Sequence, residues 1–396
     1  MKPYLLQHLI CPVDKGSLQP VVFDQRENPL TSQVKDEIVA RGLSVDDFKV
    51  EILDGVLMNN RLKLIYPIYH GVPRLLVFQH PLLGEFRQEF AKRLEELFQQ
   101  GYNFPNDNSV PGEKKVLASF SNEWTGYGYN ENAYWAQPAD VYNSSLLSTL
   151  QNETQDLTNR LVLEVGIGSG GSADFMSKTF KCNLIGVDLG YAVDVAYKNF
   201  SSNPFFHIAQ ASAFRLPFRD ETFDFVYSHG VLHHTYSTRT AFDSVARLPK
   251  QNGRFYIWVY CWSHELQDLK RSMIMGLEAV VRPWCCRLPT WMQTIVLQPI
   301  APLYLFHQNV VYRGEKGLAR YNWREAMHAA RDRFTPRYIH RHNEEEVMGW
   351  FRENNYERIR PLSQRKLPDF GPASFFLNTG VEGFKRTSGR NPAGAA

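Results

Sequence analysis

Val162-Leu-Glu-Val-Gly-Ile-Gly-Ser-Gly-Gly171 is an apolar run that ends in glycines at 166, 168, 170 and 171. Its first half has strand length. The glycines let the backbone turn sharply, or approach a ligand where a Cβ would stand in the way. Gly166, Gly168 and Gly171 also satisfy the dinucleotide spacing G-x-G-x-x-G, so the loop alone leaves more than one nucleotide chemistry open. Working outward, three further runs of strand length follow: NLIGVD ending at Asp188, FDFVYS ending at Ser228 and RFYIWVY ending at Tyr260. Helical or loop segments separate them. Strand, glycine loop, helix, strand is the pattern of a parallel α/β sheet covered on both faces.

The polar residues at the strand ends narrow the chemistry. Glu164 precedes the first glycine by two residues, where a carboxylate can receive a ligand's ammonium or hold the loop through backbone N–H groups. Asp188 ends the second strand, where an acid accepts hydrogen bonds from ribose hydroxyls. That role is shared by nicotinamide and adenosylmethionine sites. Leu216-Pro-Phe218 then leads into FDFVYSHGVLHH, which closes on His233 and His234. A histidine of ordinary pKa about 6.5 at the open end of such a sheet suits a general base. It equally suits a loop residue that bonds backbone.

Taken together, VLEVGIGSG, GVD, LPF, FDFVYSHGVLHH and PKQNGRFYIW resemble the type-11 class I methyltransferases that use S-adenosylmethionine. The resemblance implies an α/β fold with a Rossmann-like seven-stranded sheet, S-adenosylmethionine as cofactor, and catalysis at His233 or His234. It implies that Glu164, Gly166, Gly168 and Gly170 hold the methionine and adenosine portion, and that Asp188, with Leu189 beside it, binds the ribose. His229 becomes pocket wall near the methionine end. The family places an Asp four residues before the Leu of LPF, next to the adenine amino group. Here that position is Ser212, followed by Ala213; serine still accepts a hydrogen bond but without charge, so either a weaker adenine affinity or assistance from another group is expected.

Upstream, LLQHLICPVDKGSLQPV and YPIYHGVPRLL resemble a small zinc-ribbon-like domain found fused to, or activating, certain methyltransferases. Metal-binding members carry CPxC and a second cysteine pair. Asp14 stands where the second cysteine would be, and no other Cys occurs before Cys182. One thiolate and one carboxylate do not close a tetrahedral site, so the expected metal is none. Strands are expected at Val21–Phe23, Leu62–Ile68 and Val72–Phe78, the last two joined by Tyr69-His70-Gly71. A helix is expected over Thr31–Leu43. Leu83, Phe86, Phe90, Leu94, Leu97 and Phe98 form the stripe of one amphipathic helix. Asn103–Gly112 reads as a linker.

The expected units are therefore 1–80, the ribbon-like domain; 81–140, helix, linker and aromatic lid; 141–262, the cofactor core; 263–341, an apolar helical cap; 342–388, the last helix and closing β-hairpin; and 389–396, a disordered tail. In the lid, Trp124 and Tyr127 are candidates to close over the cofactor. The segment Asp332–His342 resembles one that returns a histidine or acid to the pocket. Trp291 and Tyr304 are candidates to line the acceptor pocket, and Cys285-Cys286 read as small fillers.

Composition bounds the partners. Among 396 residues, 43% are hydrophobic and 21% charged, which excludes extended disorder. Lys+Arg 44 against Asp+Glu 41 gives +3, which does not suggest nucleic acid held by bulk electrostatics. Five scattered cysteines without a CxxC pair point to a reducing compartment, and a cytoplasmic location is expected. Prolines 289, 299 and 302 break the uncharged stretch Leu288–Tyr312, so no transmembrane helix is expected, though peripheral membrane contact through the cap is open. The expected acceptor is a small hydrophobic or amphipathic molecule, with no nucleic acid involved. A nicotinamide-dependent oxidoreductase and a non-catalytic scaffold that regulates a partner are the alternatives.

Overall fold

The computed structural model describes residues 1–126, 143, 146, 150, 155–261, 269–306, 309–310, 320–362 and 378–387. Tyr127, most of the lid and the expected disordered tail lie outside them.

The N-terminal unit opens with α1 (Pro3–Leu6) and β1 (Gln19–Glu27), followed by α2 (Ser32–Ala40), which Thr31 caps. Next come β2 (Val50–Asn59), β3 (Leu64–Tyr69) and β4 (Val72–Pro73), giving an antiparallel sheet in the order β1-β2-β3-β4. Strand β2 has no counterpart in the sequence reading, because Glu51 and Asp54 interrupt its apolar run. The fold buries Glu51 by pairing it with Arg26 at 2.6 Å. His70 (φ 51) and Gly71 (φ 79) make the two-residue turn between β3 and β4, where both positions need positive φ. The strand expected over Val72–Phe78 is split. Pro73 ends its pairing with β3, and Leu75 N–H then donates to Gln210 O at 2.8 Å, across to the other sheet.

The expected single amphipathic helix is two, α3 (Pro81–Glu89) and α4 (Ala91–Gln99), broken at Phe90. The break seats the Phe90 ring 4.9 Å from Phe86 and 5.4 Å from Phe23, while Leu83, Leu94 and Leu97 remain buried. The segment read as a linker is tied down. Asn103 exchanges backbone bonds with Ile65 and Lys63, and Asp107 pairs with Arg215 at 2.5 Å. It leads directly into α5 (Glu113–Gly126).

The second sheet holds β5 (Leu161–Val165), β6 (Asn183–Asp188), β7 (Phe206–Gln210), β8 (Phe223–His229), β9 (Pro249–Tyr260), β10 (Tyr356–Pro361) and β11 (Asn378–Lys385). Its order is β10-β11-β9-β8-β5-β6-β7, with β5 to β9 parallel and β11 antiparallel to both neighbours. Helices α6 (Gly171–Thr179), α7 (Ala192–Phe200) and α8 (Thr238–Val245) connect the parallel strands. The seven-stranded Rossmann-like sheet and the separate small β-rich sheet both match the sequence reading.

Period-two alternation divides the core. Val162, Leu184, Ile208 and Phe225 face one side. Leu163, Val165, Ile185 and Ala209 face the other, where Leu5, Leu9, Leu57 and Tyr66 of the N-terminal unit join the same apolar cluster. The two sheets therefore share a core rather than touching at a wet interface.

Beyond β9 come α9 (Leu269–Cys285), α10 (Thr290–Leu297), α11 (Ala301–Phe306) and α12 (Trp323–Phe334), then α13 (Glu344–Glu353). The cap helices bury Cys285, Leu297, Ala301, Met327 and Phe334 among themselves. Trp291, expected in the acceptor pocket, is 65% exposed on the cap surface, whereas Tyr304 packs against the cap's own cluster. Among the described residues no helix is long and apolar enough to cross a membrane.

Candidate functional site

Gly166 (φ 92) and Gly170 (φ 83) hold the loop after β5 in a left-handed conformation, and a Cβ on Gly166 would lie 2.2 Å from Val231. The loop is pinned to the neighbouring strand by Gly166 N–H donating to Val187 O at 2.7 Å. Asp188 closes it from the end of β6. Its Oδ2 accepts from Gly168 N–H at 3.0 Å, and its Oδ1 from Gly190 N–H at 2.8 Å. Burial pushes this carboxyl up, and the backbone donors oppose that. Glu164, 5% exposed, accepts from the Tyr227 hydroxyl at 2.7 Å. Burial pushes its carboxyl up to about 8, against the Tyr227 bond, with the Asp188 charge adding to the rise.

Ser212 follows β7. Its Oγ accepts from Phe214 N–H at 3.2 Å and donates to Oε1 of Glu113, in the first turn of α5. Ala213 packs into the sheet core, and Leu189 joins Leu76, Val77, Phe78 and Leu117. The stretch that carries Ser212 is held from the N-terminal unit. Besides the Leu75 bond to Gln210, Lys15 Nζ donates to Leu216 O at 2.7 Å and Ile10 N–H to Pro217 O at 2.9 Å.

Helix α5 runs the length of this cleft. Glu113 meets Ser212 at one end. Midway, Ser121 Oγ accepts from Tyr191 N–H at 2.8 Å, just past Asp188. At the far end Trp124 covers the glycine loop so closely that a Cβ on Gly168 would lie 3.1 Å from its ring.

The histidines lie beyond that end. His229 stacks on Trp258, ring centroids 4.6 Å apart, and burial pushes it down to about 4. His233 is fully buried, stacks 3.9 Å from Tyr260, and among the described residues both its ring nitrogens lack a hydrogen-bond partner. His234 Nδ1 is engaged at 3.0 Å by Tyr338 O. Burial lowers both, His233 well below the ordinary histidine value and His234 to about 4, so both imidazoles are neutral at pH 7. Asp332 stands 3.5 Å from the Tyr260 hydroxyl, its carboxyl pushed up to about 7 by burial and by the Glu123 charge. Glu123, 2% exposed, meets His328 Nε2 at 3.1 Å through Oε1, and among the described residues its Oε2 has no hydrogen-bond partner. Of the other histidines in that segment, His340 Nε2 lies 3.0 Å from Thr235 O. His342 turns away to Glu346 at 2.9 Å.

The sequence reading placed the loop, Asp188, Ser212 and the histidines around one cleft, and it contained no hint of Glu113, Glu123 or His328. An acid in a helix's first turn ordinarily reads as a dipole partner, so nothing set Glu113 apart.

In the N-terminal unit, Cys11 is buried with Sγ 3.2 Å from the Tyr66 hydroxyl. Asp14 accepts from Gly16 N–H at 2.9 Å, Asn59 at 2.7 Å and Arg61 at 2.6 Å. Against a burial that raises it, the Gly16 and Cys11 hydrogen bonds and the Arg61 pairing hold the carboxyl at about 2. Among the described residues no three His, Cys, Asp or Glu side chains are grouped to hold a metal ion.

Comparison with known proteins places families on both units. Residues 163–257 match the family described as Methyltransferase domain, and residues 2–71 match the one described as Trm112p-like protein. The chain is 31% identical over 135 residues to the tRNA (carboxymethyluridine(34)-5-O)-methyltransferase of Saccharomyces cerevisiae, covering 33% of this chain and 47% of that protein. It is 25% identical over 139 residues to the O-methyltransferase rstn1 of Aspergillus nomiae, covering 33% and 62%. The chain thus spans about half the length of these relatives. Among solved structures, the phosphoethanolamine N-methyltransferase 2 of Haemonchus contortus is 15% identical at a TM-score of 0.42, covering 72% of this chain and 62% of that one. With the strand order above, the family match identifies residues 163–257 as a class I S-adenosylmethionine-dependent methyltransferase domain. The yeast relative overturns the expectation of no nucleic acid. A net charge of +3 says nothing about local recognition, and the bulk argument was too coarse to exclude it.

Proposed function

We propose that the chain is an S-adenosylmethionine-dependent methyltransferase that carries its activator-like unit in cis. The observation that carries the reading is the loop closed by Asp188 beside a buried acid, Glu164, with no cationic partner among the described residues. The residues fit the cofactor. The glycines leave room for its backbone-hugging portion, Asp188 stands where ribose hydroxyls would donate, and Glu164 is suited to an ammonium. The nicotinamide alternative leaves the match of residues 163–257 unexplained.

When bound, S-adenosylmethionine supplies a methyl carbon activated by a sulfonium, so the chain's own task is alignment and, for a protic acceptor, proton removal. His233 is the better base of the pair, since its ring nitrogens are uncommitted while His234 is anchored to Tyr338. Tyr260 stacks on its ring and bonds Asp332, so the Tyr260–Asp332 pair can take the proton onward. Trp124, packed on Gly168, shields the loop from water.

For the acceptor, a small hydrophobic or amphipathic molecule is supported by the apolar cap, where Trp284, Trp291, Ile295, Leu303 and Phe306 are all exposed. A tRNA acceptor is the second reading, supported by the yeast relative. Labelled methyl transfer to total tRNA and to an extract of small amphipathic metabolites separates the two. Absence of turnover with both, despite cofactor binding, would favour a non-catalytic scaffold. The N-terminal unit folds without metal in this reading, since Asp14 is consumed by Gly16, Asn59 and Arg61. Elemental analysis should find no stoichiometric zinc, and a chelator should leave Tm unchanged. One zinc per chain would overturn it.

A further inference from the structure

By the resemblance, Ser212 stands at the position expected beside the adenine amino group, yet its hydroxyl is spent. Its single proton goes to Glu113 Oε1, and one lone pair takes Phe214 N–H. What faces that position with acceptor capacity to spare is the Glu113 carboxylate. Its Oε2 holds Val110 N–H at 3.0 Å, and each oxygen keeps a further lone pair. Glu113 is 6% exposed and forms no ion pair among the described residues; the Arg215 charge acts on it from nearby but is bridged to Asp107 at 2.5 Å. A buried carboxylate without a counter-ion is costly, and burial indeed raises its pKa. Two bonds and one charge oppose that rise: Val110 N–H on one oxygen, Ser212 on the other, and the nearby Arg215 guanidinium. The same helix lies over the Asp188 turn through Ser121 and over the glycine loop through Trp124, so Glu113 shares a frame with the rest of the cleft.

We propose that Glu113, from a helix outside the cofactor core, is the acceptor for the adenine amino group, with Ser212 as the positioning residue that orients its carboxylate. The proposal rests on the cofactor reading above. A charge-assisted bond replaces the missing local acid through space rather than through sequence.

The test compares two ligands by calorimetry on the full chain: S-adenosylhomocysteine, and its analogue carrying hydrogen in place of the 6-amino group. The wild type should prefer the amino ligand by about tenfold or more, the worth of one charge-assisted bond. Glu113→Ala should bind the analogue as the wild type does and lose the preference. Adding Ser212→Asp to Glu113→Ala should restore it. Ser212→Asp alone should bind more weakly than the wild type, because two carboxylates would crowd one buried site. If Glu113→Ala does not fold, Glu113→Gln keeps the shape with a neutral acceptor and should reduce the preference at least threefold. A preference undiminished in the folded Glu113 variant overturns the proposal. Failure of the wild type to bind S-adenosylhomocysteine at all would instead sink the cofactor reading.

Discussion

The two ends of the cleft are built by different means. At the glycine end, the groups that shape the site are backbone N–H groups: Gly166 donates to Val187 O, and Gly168 and Gly190 to the Asp188 carboxylate, all on one strand–loop–strand unit. At the histidine end, the groups are side chains from four separate segments: Glu123 of α5, His233 after β8, Tyr260 of β9 and Asp332 of α12. Backbone geometry is specified by a few glycines at fixed spacing, and it tolerates almost any flanking sequence. A side-chain cluster is specified only by packing. The glycine end is therefore suited to a ligand held by backbone geometry, and the histidine end to chemistry that packing alone decides.

The contrast breaks first at His233. His233→Ala should lower kcat by about 10²–10⁴-fold while leaving cofactor affinity unchanged. Because burial holds its pKa down, neutral imidazole persists well below pH 6.5. The kcat profile should therefore be flat across neutrality, with its acid fall displaced below the ordinary histidine range. Wild-type turnover in His233→Ala would move proton removal to the Tyr260–Asp332 pair. Near pH 7 that pair would reveal itself as a rise in rate as Asp332 ionises.

A smaller effect is expected at the other end. Asp188→Ala should remove ribose hydrogen bonds, each worth about 1.5–3 kcal/mol, or roughly ten- to hundredfold in cofactor affinity. Calorimetry would show this with kcat at saturating cofactor little altered. If affinity is unchanged, the glycine loop serves only as a turn, and the distinction between the ends collapses.

The smallest effect is a proton count. With its carboxyl at about 8, Glu164 is mostly protonated at pH 7 in the free protein. A ligand ammonium favours the ionised form, so binding should release close to one proton, and affinity should rise as pH approaches 8. Calorimetry in buffers of different ionisation enthalpy measures the release, and Glu164→Gln should abolish it. No release in the wild type would show Glu164 serving the loop alone.

Cysteine and proline placements illustrate where sequence reading reaches its limit. The spacing of Cys11 and Asp14, three residues apart, was legible because it is a local property. The helix break at Phe90 was not, because the apolar stripe is the same for one helix or two, and only the ring contacts with Phe23 and Phe86 distinguish them. The strand expected over Val72–Phe78 runs across Pro73, and nothing local showed that it would stop there or that Leu75 would reach Gln210 on the other sheet.

By itself the sequence determined the parallel sheet, the glycine loop and the acid at the end of β6, because period-two burial and positive-φ glycines are short-range constraints. Only the tertiary structure decided that the N-terminal unit shares a core with the sheet. Only it decided that α5 lies across the cleft, and that Glu113 meets Ser212 across a separation of 99 residues. The physical reason is that a carboxylate leaves no periodic trace of its partner. Its role is fixed by which buried donors the folded chain brings within hydrogen-bond distance.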